Sequence, residues 1–200
     1  MKRWHGRIVA VMAALGECLA AGAVQAQQAL VIKPLAEKKV SELPAGDIYW
    51  RIENFATREQ ASAAAGPWSL VTEAEGKVWM FTLGAAGAST SGGAKAAEVG
   101  PIPRVAASQY LLRINEASGP AGAVTAIHSN PGSEGVFVLS GEQSIRGAHG
   151  TQVVHAGQPE AGHGADMAMQ VSSSGATDLR SLVMFVVDAA RPFSSPATLP

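Results

Sequence analysis

The residues best equipped for chemistry in this chain stand close together: His128, Asn130 and Glu134, within GAVTAIHSNPGSEGVFVLSG, residues 122–141. Imidazole and carboxylate both bind divalent ions and both carry protons at moderate pH. Asn130 offers only a neutral carbonyl oxygen, a weaker ligand than a second imidazole. Side chains two apart on a strand share a face, so positions 128 and 130 look into one interior. Pro131-Gly132-Ser133 then turns the chain, and Glu134 enters from the next strand. With one or two further ligands this is a mononuclear metal site; without them it is the polar corner of a binding cavity.

His163 is the candidate for a further ligand. It lies in Gly162-His163-Gly164, where glycine on both sides lets the ring swing inward, although an exposed loop histidine has the same sequence. His163, Met167 and Met169 form an H-x3-M-x-M run with the soft donors that suit copper(I), yet methionines at alternate strand positions also simply fill a core. His149, in a turn, and His155, at a strand end, read as exposed or edge residues. Arg113 and Arg146 fall on strands and could reach a carboxylate ligand or lie on a solvated face. No G-x-S-x-G elbow, H-E-x-x-H pair or phosphate-cradling loop before a helix is present.

The elements that must position these residues are mostly strands. Alternating patterns run over 47–54, 68–73, 77–83, 109–115, 124–128, 136–139, 151–155 and 179–188, separated by Gly, Pro, Asn or Ser clusters, as in a sandwich or barrel. Thr57 to Ala65 reads as a short helix, with a T-x-x-Q capping box closed by Gln60 and a Gly66-Pro67 stop. Glu75-Gly76 is placed to turn a hairpin, and residues 84–97 (GAAGASTSGGAKAA) read as a loop or linker. Trp50, Trp68 and Trp79 precede that segment and are expected to pack the N-terminal part onto the C-terminal barrel.

With 200 residues, 47% of them apolar, the chain suits one domain with an N-terminal extension. MKRWHGR, the apolar run after it and Val24-Gln25-Ala26 have the pattern of a cleaved signal peptide, cut after Ala26, which predicts a periplasmic or secreted protein. The run is short for a membrane anchor and carries Glu17. Cys18, the only cysteine, leaves with it, so disulfides and thiol catalysis are not expected. Removing Lys2, Arg3, Arg7 and Glu17 from 15 basic and 16 acidic residues leaves 12 against 15, a formal charge of −3. Without a basic patch, neither nucleic acid nor, after cleavage, a membrane surface is an expected partner.

The 122–141 stretch resembles the first motif of the cupins, G-x5-H-x-H, three or four residues, then E-x6-G. Gly122, His128, Glu134 and Gly141 occupy its anchors, and Asn130 replaces the second His. The second cupin motif, G-x5-P-x-G-x2-H-x3-N, has its counterpart in residues 157–173, where the ligand His falls on Ala168 or Met169 and the Asn on Ser172 or Ser173. The resemblance spans roughly Tyr110 to Asp188. It implies a mainly β chain whose barrel, residues 101–200, is an antiparallel jelly roll (double-stranded β-helix), often homodimeric, with residues 27–100 as a β-rich extension containing the one short helix. It implies a small-molecule ligand near His128, Asn130, Glu134 and Met169, with weak or absent metal binding. The alternative it leaves open is an oxygenase- or isomerase-type enzyme with one divalent ion (Fe, Mn, Ni or Zn) on His128, Glu134 and His163. A purely structural role through strand-edge dimerisation is a third class.

Overall fold

A computed structural model describes Met1 and residues 27–200; the signal-like segment and Cys18 lie outside the described residues. The chain before residue 101 forms β1 (Val31–Val40), β2 (Tyr49–Phe55), α1 (Arg58–Ala64), β3 (Ser69–Ala74), β4 (Lys77–Gly84) and β5 (Ala94–Val99). Next come β6 (Tyr110–Gly119), β7 (His128–Ser129), β8 (Gly132–Ser140), β9 (Glu142–Gly147) and β10 (Gly150–His155). The last strands are β11 (Pro159–Ala161), β12 (Met169–Ser173), β13 (Leu179–Asp188) and β14 (Ser195–Pro196).

From β6 to β13 the strands alternate between two antiparallel sheets except at the β9–β10 hairpin, one sheet ordered β6-β13-β8-β11 and the other β10-β9-β12-β7. Eight strands in this order make a jelly roll, the cupin-type double-stranded β-helix. β1 extends the first sheet beside β6, and β14 extends the second beside β7. The remaining N-terminal strands form a separate sheet, β3-β4-β2-β5. The N-terminal part therefore contributes both a layer of its own and one strand to the barrel, across the boundary drawn at residue 100.

The strand period of two explains how these layers hold together. On β13, Val183, Phe185 and Val187 belong to the core inside the barrel, whereas Leu182, Met184 and Val186 join a second core beneath the N-terminal sheet. On β8, Val136 and Val138 face inward and Phe137 outward. Buried on both faces, these strands carry the unbroken apolar runs 135–139 and 182–187. Trp50 and Trp79 anchor the second core, with Trp79 edge-on to Phe137 at 6.1 Å. Trp68 is only half-buried and donates from Nε1 to the Glu42 carbonyl.

Local rules account for the connections. Thr57 caps α1 by accepting from the Gln60 N–H at 3.2 Å. Glu75 and Gly76 both take positive φ, as a two-residue turn between β3 and β4 requires. Two expectations are corrected. Of residues 84–97, only the first part is a loop, because β5 begins at Ala94 and pairs with β2. Of residues 124–128, only His128 lies in a strand; Val124 makes isolated bridges to Ala29 and Ser172.

Candidate functional site

Glycine fixes both ends of the site-bearing segment. Gly122 has φ +83° and Gly141 φ +73°, a region that glycine enters without strain. At Gly141 a Cβ would also lie 2.6 Å from the Asp178 carbonyl oxygen, so the turn from β8 into β9 has no room for a side chain. Between them, β7 carries His128, the short connection carries Asn130, and β8 carries Glu134 opposite Phe185 of β13.

These three residues line one cavity of about 350 Å3 between the barrel sheets. From the first sheet and its β1 edge come Ile32, Asn115, Ala117, Glu134, Val183 and Phe185; from the second come His128, Gln143 and Val171. Thr125, Ala126, Asn130, Phe193 and Ser194 complete the wall from the connecting segments. Phe193 packs edge-on against Phe185 at 4.9 Å and carries the Arg113 guanidinium over its ring at 4.4 Å.

Glu134 is buried, and the one group offsetting that burial is Asn130, whose Nδ2 donates to Oε2 at 3.3 Å. Loss of hydration pushes its pKa up to about 7, so below neutral pH the carboxyl is mostly an O–H donor as well as an acceptor. His128 Nδ1 lies 2.9 Å from the Ala126 carbonyl oxygen. Donation to that carbonyl makes Nε2 the free nitrogen of the ring. Asn115 is buried on the wall, and its Oδ1 has no hydrogen-bond partner. Gln143 accepts from Ser181 Oγ at 2.6 Å.

The remaining candidates stand elsewhere. His163 is absent from the cavity wall: its Nε2 lies 2.8 Å from where a Cβ on Gly147 of β9 would be, and Nδ1 is buried without a partner. Burial, then the nearby His149, holds its pKa below the usual imidazole range. It meets Glu134 through the backbone, accepting from the Glu134 N–H at 3.2 Å. Met169 is buried in the barrel core opposite His128 in register, filling the interior rather than lining the cavity. Ala168 is not on the wall either. Arg146 bonds Gln170 at 3.0 Å, and exposed His155 pairs with Glu142 at 3.0 Å.

The donor set decides the fit of a metal ion. Among the described residues, no three His, Cys, Asp or Glu side chains gather closely enough to hold one. The cavity supplies one imidazole and one carboxyl, where a divalent site needs at least a third strong donor. These residues do not fit a divalent ion.

Asn115, Gln143, Phe185 and Phe193 were not expected at the site. A signal existed for Asn115: it is a neutral amide in phase with Leu111 and Ala117, which pack into the barrel core.

No family model matches the chain, and no curated protein matches it. Solved structures similar to its barrel include a cupin-like protein from Thermotoga maritima, 12% identical over 44% of this chain and 65% of that one, with a TM-score of 0.39. A protein with a double-stranded β-helix domain from Klebsiella pneumoniae is 20% identical over 44% of this chain and 75% of that one, TM-score 0.38. A cupin superfamily protein from Desulfitobacterium hafniense is 15% identical over 43% and 84%, TM-score 0.35. The chain spans just under two-thirds of the length of the Thermotoga protein.

Proposed function

Taking the cupin-type jelly roll as the premise, we propose that this protein binds a small organic molecule in its barrel cavity without the help of a metal ion. The observation that carries the reading is the wall itself: Glu134 is buried with only the Asn130 amide beside it, in an enclosure that is otherwise mostly apolar. Such a pocket, with a few convergent polar groups and one strongly perturbed acid, has the usual build of a ligand site. Asn130 gives the carboxyl a neutral hydrogen-bond partner, which only partly offsets its burial, whereas an imidazole there would add a metal donor. Export belongs to the same proposal and is supported by the signal-like pattern of residues 1–26.

The test is native mass spectrometry of protein purified from the exported fraction without chelators, with elemental analysis of the same sample. A bound organic mass, displaced on unfolding, is the expected result. Near-stoichiometric iron, manganese, nickel or zinc would overturn the metal-independent reading and favour an enzyme centred on His128 and Glu134.

A further inference from the structure

Resting on that binding reading, we propose that the ligand is an uncharged, largely apolar molecule that carries a hydroxyl group, such as an alcohol or a phenol, and that Asn115 is the residue that recognises the hydroxyl. Three features of the wall support the choice. It holds no lysine or arginine, so an organic anion would find no permanent counter-charge. The Arg113 guanidinium lies over the Phe193 ring and faces Glu37 at 3.6 Å, so its charge is already offset and is not offered to an anion in the cavity. The groups that can bond a ligand are the carboxamides of Asn115, Asn130 and Gln143, the hydroxyls of Thr125 and Ser194, the Glu134 carboxyl and the His128 ring, and none of them carries a permanent charge.

Asn115 stands out among these because its partners are missing. The residue is 2% exposed, yet Oδ1 has no hydrogen-bond partner, whereas Asn130 is engaged with Glu134 and Gln143 with Ser181. A buried amide left unpaired is costly, and a ligand that satisfies it recovers that cost. A hydroxyl both donates and accepts, so it can pair with either end of the carboxamide; an ammonium or a carboxylate can meet only one. Phe185, Val171, Val183 and Ala117 supply the apolar surroundings for the rest of the molecule.

The experiment uses four probes of one size, 2-phenylethanol, 2-phenylethylamine, phenylacetate and ethylbenzene, titrated calorimetrically into the full exported chain at about pH 6, where Glu134 is mostly protonated. The alcohol is expected to bind at least about tenfold more tightly than the other three. Asn115→Leu should remove that advantage and leave the affinity for ethylbenzene unchanged or improved, which separates lost recognition from lost folding. Binding of phenylacetate or the amine as tightly as the alcohol, or an alcohol preference that survives Asn115→Leu, would overturn the inference while the cavity-binding reading stands. Failure of all four probes to bind would count against both.

Discussion

Asn130 and Glu134 face one another inside the barrel, the amide Nδ2 donating to the carboxyl Oε2 across 3.3 Å with both side chains buried. An amide can satisfy one oxygen of a carboxyl in either protonation state, and it brings no charge. The pair is therefore a stable polar corner of the cavity at low pH and a strained one at high pH.

That strain has a direction. The folded pKa of Glu134, about 7, lies above the ordinary 4.5, so its contribution favouring the folded state is fully present below about pH 4.5 and is lost as pH rises through about 7. The difference corresponds to about 3 kcal/mol. Urea midpoints at about pH 5 and about pH 8 should show the loss, and Glu134→Gln, which keeps an acceptor for Asn130 and cannot ionise, should flatten the difference. A parent protein equally stable at both values would show that the carboxyl ionises without penalty.

Asn130→His is expected to create metal affinity. It adds a second imidazole to the wall that already holds His128 and Glu134, and a bound cation would draw the carboxyl into its ionised form. Elemental analysis after incubation with nickel or zinc should show near-stoichiometric metal in the variant and little in the parent. Met169→His should add none, because Met169 is packed into the core away from the cavity.

How much of this was legible depended on the physics of each segment. The periodic strands, the capped helix and the Glu75-Gly76 hairpin follow from local rules, and the structure contains them. β1 was not read from VIKPLAEKKV, because Pro34 and four charged residues suppress the strand signal; it is an edge strand, largely exposed, with a register shift after Pro34. His128, Asn130 and Glu134 were found because they lie within seven residues of one another in a spaced motif. Asn115, Phe185 and Phe193 reach the cavity from β6, β13 and the segment before β14, a convergence that only the strand order creates. His163 looked available because glycines flank it, yet those glycines let the backbone press against Glu134, where a Cβ on Gly162 would lie 2.8 Å from Cγ.

Trp50→Ala should cost about 3–5 kcal/mol, the range for emptying an aromatic site in a packed core. Trp50 is fully buried between the N-terminal sheet and the barrel. Chemical denaturation should report the loss, and an unchanged midpoint would mean that the two layers do not depend on this contact.

Gly141→Ala should destabilise the protein by about 1–3 kcal/mol, since it combines a positive φ with a Cβ forced to within 2.6 Å of the Asp178 carbonyl oxygen. Gly122→Ala, with the same sign of φ and open space around it, should cost less. Equal melting temperatures for the two variants would show that crowding at Gly141 is relieved by movement of the Asp178 segment.

β13 gives one face to the barrel interior and the other to the N-terminal layer. The barrel wall is thus also the floor on which that layer is laid, and neither can be lifted off without wetting the other's side chains. Cutting the chain before residue 101 would remove β1 from the sheet edge and uncover Leu112, Ile114, Leu182, Met184 and Val186 together. The two halves should therefore melt as one cooperative unit, and a barrel expressed alone should be a sticky, aggregating fragment rather than a minimal binding module.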